Sequence, residues 1–297
     1  MSYYYPDTFT DTITSIYGAK GAQWILQLPI IIEQCVAQWN LTELHPYANL
    51  TCNYVLCGMQ NGVSVVLKLR CVVAELDKEI TALTAFADHG GVKLLAHNEQ
   101  LGALLLERAL PGDTLTSYFL HDDAKATRIA ADVVQTLHQA SPVGEFPLLQ
   151  NILPDLSKEP PVLMPFLARA RELKTQLLAT QQKQVLLHGD FHHGNILSAA
   201  GDETWVVIDP EGVIGDPVYD LAVYIRNPLK ELIIAPDAKV VIINRICDFS
   251  QLLGYDAQRI YDWVYVQAVC SAYWSLEDGL DASKHIAFLH ILYGMRI

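Results

Sequence analysis

Residues 187–197 read Leu187-His188-Gly189-Asp190-Phe191-His192-His193-Gly194-Asn195-Ile196-Leu197, and residues 205–210 read Trp205-Val206-Val207-Ile208-Asp209-Pro210. The pattern H-G-D-x-x-x-x-N lies between apolar stretches and is followed by an apolar run that ends in Asp. It supplies a carboxylate, an amide and a second carboxylate in that order. Moving a γ-phosphoryl group needs such a set: an acceptor for the proton of the attacking hydroxyl, and two oxygen ligands that hold Mg²⁺ on the nucleotide phosphates. Asp190 is the candidate catalytic residue, and Asn195 and Asp209 are the candidate metal ligands. Mg²⁺ takes oxygen ligands and keeps several waters, so two protein ligands and the phosphates are enough. Turn chemistry alone brings Asp, Asn, His and Gly into loops, but it does not easily produce the whole set in order.

Residues 185–187, 195–197 and 205–208 are predicted as short strands. They put Asp190 at a loop tip, Asn195 at the loop's end and Asp209 at the end of the next strand. Gly189 and Gly194 allow backbone turns that other residues resist. The interval from Asp190 to Asn195 equals that of the kinase catalytic loop H-R-D-x-x-x-x-N, with Gly189 in place of Arg, and Pro210 stands where a protein kinase carries Phe-Gly. Asp220 opens a helix predicted over residues 221–226, where a carboxylate is favoured. Asp216 reads as a cap, and Asp220 as a brace for the catalytic loop. His188 is expected to pack within the loop and bond backbone. The trio His188, His192 and His193 has no further ligand at zinc spacing, which disfavours a zinc hydrolase.

Upstream, residues 12–40 read as helical, and residues 53–57 and 63–70 as strands joined by Gln60-Asn61-Gly62, a strong hairpin signal. Lys68 lies in the second strand, where kinases place a Lys that pairs the phosphates and a Glu of the next helix. That helix, predicted over residues 72–88, offers Glu75 and Glu79 one turn apart. Residues 46–53 would cover the phosphates, without a G-x-G-x-x-G motif. Residues 102–106 read as a strand and 111–112 as a turn. Glu107, Arg108 and Ala109 between them form the expected hinge, where adenine would bind mainly through backbone groups. Residues 121–139 read as a long helix. Residues 151–180 are Pro-punctuated and then helical, with Arg169, Arg171, Glu172 and Lys174 as a solvated face. The chain is helical from residue 248 onward.

The segment from His188 to Asn195, with Asp209-Pro210-Glu211-Gly212, Gly215-Asp216-Pro217 and Asp220-Leu221-Ala222, resembles the aminoglycoside phosphotransferase superfamily. The doubled His192-His193 is similar, more narrowly, to the aminoglycoside/hydroxyurea antibiotic-resistance kinases, whose best-known members are streptomycin 6-phosphotransferases. So are Tyr17-Gly18-x-x-Gly21-x-x-Trp24, Trp39-Asn40-Leu41, Val66-Leu67-Lys68-Leu69, Leu104-Leu105-Leu106-Glu107-Arg108 and the stretch from Trp263 to Ala272-x-Trp274. The resemblance spans nearly the whole chain. It implies an α+β, two-lobed, protein-kinase-like fold. A nucleotide-binding lobe over residues 1–108, with a helical extension over 1–40, would precede a mainly helical catalytic and acceptor-binding lobe over 109–297. The pattern Glu79-x-x-Ala82-Leu83 selects Glu79 as the partner of Lys68. ATP and Mg²⁺ are the implied cofactors. The implied acceptor is an aminoglycoside such as streptomycin. The alternatives are a kinase of the same fold acting on an amino alcohol or sugar, and a non-catalytic nucleotide-binding pseudokinase.

The formal net charge of the 297 residues is −13. From Leu187 onward, fifteen acidic residues stand against seven Lys and Arg, so most of the excess lies in the part expected to hold the acceptor. This disfavours nucleic acid, which selects basic surfaces, and suits a cationic small molecule. Glu211, Asp216, Glu277 and Asp278 are the candidate acceptor-binding carboxylates, with Asp281 beside them. Apolar residues make up 51%, yet no stretch reaches the ~18 consecutive apolar residues of a membrane helix, so no membrane partner is expected. The first residues carry neither a basic nor an apolar leader region. Six Cys are scattered without C-x-x-C spacing. Both features fit free thiols in a cytoplasmic protein.

Overall fold

Alternation along one strand sets the layering of the N-terminal part. In residues 63–70, Val65, Leu67 and Leu69 are buried in one apolar cluster with Phe9, Ile13, Trp24, Leu28 and Ile32 of the first helix. Val66, Lys68 and Arg70 belong to the opposite face, because side chains alternate along a strand. The computed structural model describes residues 5–48, 50–72, 76–119, 121–200 and 204–295. The chain divides into two units, one made of residues within 1–87 and 92–109, the other of residues within 88–91 and 110–297.

The first unit contains α1 (Asp7–Trp39), β1 (Leu41–Pro46), β2 (Asn53–Gln60), β3 (Val63–Arg70), α2 (Leu76–Phe86), β4 (Leu94–Asn98) and β5 (Ala103–Glu107). Its strands form one antiparallel sheet in the order β1-β2-β3-β5-β4, so β3 is central. The β2–β3 hairpin closes with Gln60 opposite Val63. Asn61 and Gly62 both have positive φ, 49° and 80°, as a two-residue type I′ turn requires. The expected Glu75 lies outside the described residues.

The helix predicted over residues 12–40 runs from Asp7 to Trp39 and is broken at Gly18, with φ 58° and ψ −137°. The break lets the two helical segments approach closely. A Cβ on Gly21 would lie 2.5 Å from the carbonyl oxygen of Ile13. The Gly18-x-x-Gly21 spacing is thus a packing feature: one glycine turns the chain, the other admits a backbone.

The second unit contains β6 (Pro111–Thr114), α3 (Asp123–Leu137), α4 (Leu149–Ile152), α5 (Met164–Ala179), β7 (Val185–Leu187), β8 (Ile196–Ala199), β9 (Thr204–Val207), β10 (Val213–Gly215), α6 (Val218–Arg226), α7 (Leu229–Leu232), α8 (Ala238–Leu253), α9 (Ala257–Glu277) and α10 (Ser283–Leu292). Two small antiparallel sheets, β6-β8-β9 and β7-β10, carry the loops of interest. Helices α6 and α9 are apolar on nearly all sides and are buried on nearly all sides, as such helices must be.

Two expectations are corrected here. Residues 111–112 are not a turn but the start of β6, where Pro111 opposes Ala199 and the N–H of Asp113 donates to Ser198 Oγ. Proline tolerates a strand's first position because it has no N–H to offer the ladder. Nor do the charges of α5 form a merely solvated face. Arg171 donates twice to the Leu156 carbonyl, Lys174 donates to the Pro154 carbonyl, and Arg169 lies 4.5 Å from the ring centroid of Tyr265. These side chains fasten the Pro-rich segment and α9 to α5.

Substituting Gly21→Ala is expected to destabilise the protein by about 1–3 kcal/mol, because the carbonyl it meets belongs to backbone that cannot step aside. Urea denaturation checks this, and an unchanged midpoint would show that the two segments of α1 separate freely.

Candidate active site

The loop from β7 to β8 is held from below by one carboxylate. Asp220 is fully buried in the first turn of α6. Its Oδ1 accepts the N–H of Gly189 (3.0 Å), and its Oδ2 accepts the N–H of His188 (2.9 Å) and lies 2.9 Å from His138 Nε2. A buried carboxylate needs such partners, and these come from the catalytic loop and from the end of α3. Asp216, not Asp220, caps the start of α6, accepting the N–H of Val218 at 3.0 Å.

His188 then ties the two halves of the motif together. Its Nδ1 accepts the N–H of Asp190 (3.3 Å), so the ring proton sits on Nε2, which donates to the Ile208 carbonyl at 2.9 Å. The N–H groups of Glu211 and Gly212 return to the His188 carbonyl. Burial pushes the pKa of His188 down. Ile208 also donates its N–H to the Asn195 carbonyl. Asp190, Asn195 and Ile208, the residue before Asp209, therefore belong to one hydrogen-bonded assembly. Asp209 has φ 57°, a left-handed conformation that is uncommon outside glycine and recurs at functional sites.

Asp190 keeps a side chain that is 44% exposed. Desolvation works against its ionisation, but the interactions with His192 and His188 and the charge of Arg226 outweigh it and hold the carboxyl down at about 2. Asn195 Nδ2 donates to the carbonyl of Asp190 (3.0 Å) and to its Oδ2 (3.3 Å). With the amide nitrogen so engaged, Asn195 Oδ1 is the atom left for a cation. An amide oxygen and the Asp209 carboxylate are oxygen donors of the kind that fit Mg²⁺.

In the first unit, Lys68 Nζ donates to Glu79 Oε1 at 2.6 Å, with both side chains almost fully buried. Arg70 Nη1 donates to Glu79 Oε2, also at 2.6 Å. Sequence reasoning missed Arg70, although its spacing of two residues from Lys68 on a strand puts it on the same face. Glu107 ends β5. Its N–H donates to the Lys93 carbonyl and its Oε1 accepts the N–H of Lys93 at 3.0 Å, so its side chain is turned toward β4. Arg108 lies beside Tyr47 of the β1–β2 connection, and Ala109 follows.

The expected acceptor carboxylates fall in different places. Glu211 packs over the catalytic loop: a Cβ on Gly189 would lie 3.0 Å from Glu211 Cβ, and Gly189 has φ 87°. Asp216 is corrected. It is buried and engaged by Arg259 and Trp263 Nε1 (2.9 Å) besides Val218, so it braces α9 against α6 and does not face an acceptor. Glu277 pairs with Lys158 at the surface at 2.8 Å, and Asp278 is exposed at the end of α9. Also unforeseen is Arg245 of α8, fully buried, which donates to Asp123 at 2.6 Å and to the Ile225 carbonyl, and lies 3.3 Å from His193 Nε2. Such long-range pairs leave no local signal in a sequence.

The two units and this loop define the protein-kinase-like fold of small-molecule phosphotransferases. The chain belongs to the aminoglycoside/hydroxyurea antibiotic resistance kinase family, which it matches over residues 38–279. It is 29% identical to a streptomycin 6-kinase of Streptomyces glaucescens over 283 residues, covering 92% of this chain and 91% of that protein. It is 29% identical to a streptomycin 3''-kinase of Klebsiella pneumoniae over 253 residues, covering 82% and 91%. Its fold matches that of aminoglycoside phosphotransferase APH(4)-Ia, solved with ADP and hygromycin B, at a TM-score of 0.64 and 16% identity over 89% of this chain and 99% of that one. No helix among the described residues is long and apolar enough to cross a membrane.

His188 and His193 are buried with lowered pKa, burial being the first cause for each. Their folded values lie below the unfolded value of about 6.5. As pH falls through 6.5 the unfolded chain takes up protons that the native one refuses, so stability present above that pH is lost below it. Unfolding free energy measured in urea is expected to drop between pH 7.5 and 5.5, by up to about 1.4 kcal/mol for each ring that stays neutral in the native protein. A flat profile over that window would mean that the two rings ionise in the native protein.

Proposed function

We propose that this protein transfers the γ-phosphoryl group of MgATP to a hydroxyl of a small cationic acceptor, with streptomycin the first candidate. The observation that carries the reading is the assembly of Asp190, Asn195 and Ile208, which leads into Asp209, around His188, whose N–H rests on Asp220. Asp190 orients the acceptor hydroxyl and takes its proton. A carboxylate held at about 2 is ionised at neutral pH and so free to accept the hydroxyl's hydrogen bond. Asn195 Oδ1 and the Asp209 carboxylate hold Mg²⁺, which when bound neutralises charge on the transferring phosphates. Lys68, kept in place by Glu79, sets the nucleotide phosphates, and the backbone at Glu107, Arg108 and Ala109 receives adenine. Positioning and charge stabilisation supply most of the rate enhancement.

Streptomycin is favoured as acceptor because two relatives at 29% identity are named for it. Those names differ in the hydroxyl they specify. The product, not the similarity, must therefore identify the hydroxyl. The acidic balance of the chain suits a cationic acceptor, and of the candidate acceptor carboxylates Glu211 is the one packed against Gly189 of the reacting loop.

The test is ADP release with MgATP against streptomycin, other aminoglycosides, hydroxyurea and small amino alcohols, with mass spectrometry of the product. Streptomycin is expected to turn over, and Asp190→Ala to lower kcat by about 10²–10⁴-fold. Turnover of an amino alcohol alone would replace the acceptor and keep the mechanism. Undiminished turnover in Asp190→Ala would remove Asp190 from the chemistry.

A further inference from the structure

His192 is a side chain of the reacting loop whose placement the phosphoryl-transfer reading does not use. Its ring lies between two fixed points. Nδ1 accepts the backbone N–H of Gly194 at 3.0 Å, and Nε2 lies 3.3 Å from Oδ2 of Asp190. An N–H donor can meet only an unprotonated ring nitrogen, so the first contact decides the tautomer. With Nδ1 accepting, the ring proton is left to Nε2, which lies 3.3 Å from the carboxylate oxygen.

We propose that His192 is a positioning residue for phosphoryl transfer: it donates Nε2–H to Oδ2 of Asp190 and leaves Oδ1 of that carboxylate for the acceptor hydroxyl. The inference rests on the phosphotransferase reading for its kinetic part, while the 3.3 Å approach of Nε2 to Oδ2 stands by itself. Asn195 Nδ2 reaches the same Oδ2 at 3.3 Å. Two donors on one oxygen fix the rotation of a carboxylate that is otherwise nearly half exposed. The His192 carbonyl also accepts the N–H of Asn195 at 2.9 Å. One residue thereby sets both Asp190 and the candidate metal ligand.

Gly194 is part of the same arrangement. A Cβ there would lie 3.0 Å from His192 Cε1 and 3.2 Å from Nδ1. A side chain at position 194 would press on the ring that must reach Asp190. The other two histidines of the loop do not compete for this task. Both ring nitrogens of His188 are engaged by Asp190 N–H and the Ile208 carbonyl, and His193 stacks on Tyr224 at 4.0 Å with Nε2 toward Arg245. The groups that face Asp190 besides His192 are His188, Asn195 and Arg226 of α6.

The experiment has two arms. In the first, protein carrying ¹⁵N-labelled histidine is examined by long-range proton–nitrogen correlation at pH 7.5, with the His192 ring assigned by its loss in His192→Gln. A neutral ring protonated at Nε2 is expected, and a ring protonated at Nδ1, or at both nitrogens, would overturn the proposal. This arm needs neither acceptor nor nucleotide. In the second, with the acceptor that turns over, His192→Ala is expected to lower kcat by about 10–10²-fold while KM for MgATP and acceptor stays within about two-fold. His192→Gln, whose amide N–H can reach the carboxylate, should regain most of the loss. Unchanged kcat in His192→Ala, or a loss confined to KM, would equally overturn it. If His192→Ala does not fold, the glutamine variant and the ring spectrum still decide. If no acceptor turns over with the wild-type protein, the phosphotransferase reading is what fails, and the ring spectrum alone decides the placement of His192.

Discussion

The carboxylate of Asp220 is the constraint on which the loop between β7 and β8 depends. It is fully buried, so its charge is tolerable only with several donors around it. Two of those donors are the consecutive N–H groups of His188 and Gly189, and the third contact is the ring of His138. Those loop N–H groups would otherwise be buried without partners, which costs about 1–3 kcal/mol each. Helix, loop and carboxylate therefore satisfy one another, and removing any one leaves the others exposed to that penalty. The shape of the loop above Asp220, with Asp190 outward and His188 inward, follows from this anchoring.

Similar logic recurs where charges are buried elsewhere. In the first unit, Glu79 takes Lys68 on one oxygen and Arg70 on the other. In the second, Arg245 satisfies its guanidinium on Asp123 and on the carbonyl of Ile225, at the end of the helix that Asp220 begins. Asp216 does the same for Arg259 and Trp263. These pairs hold α3, α6, α8 and α9 in register, and α6 carries both Asp220 and Arg226 on a helix buried along its length.

Much of this could be read from the chain. The Asn61-Gly62 turn, the strand around Lys68 and the loop from His188 to Asn195 are local patterns with local causes, and the hairpin and strands form close to where they are expected. Glu79 meets Lys68 because a strand and the helix that follows it are adjacent in the chain as well as in space. What escaped the sequence has its cause at long range. Asp123 and Arg245 stand 122 residues apart, and nothing near either one signals the other. Asp216 resembles an ordinary cap, which it is, but its second oxygen answers to α9. Arg171 and Lys174 look solvated in the helical pattern of α5, and only the path of the Pro-rich segment turns them onto its carbonyls. Gly21 reads as a weak spot in a helix until the break at Gly18 brings a backbone against it.

The account turns on whether Asp220 holds the catalytic loop, and native-state hydrogen exchange at the amides of His188 and Gly189 measures this directly. In the wild-type protein both amides should be strongly protected. In Asp220→Asn, whose side chain offers one acceptor and one donor in place of two acceptors, at least one of the two should exchange about 10-fold or more faster. The amides of the β2–β3 ladder, in the other unit, should keep their protection and so exclude global unfolding. Equal protection of His188 and Gly189 in both proteins would contradict the account, because the loop would then be holding its shape without the carboxylate said to impose it.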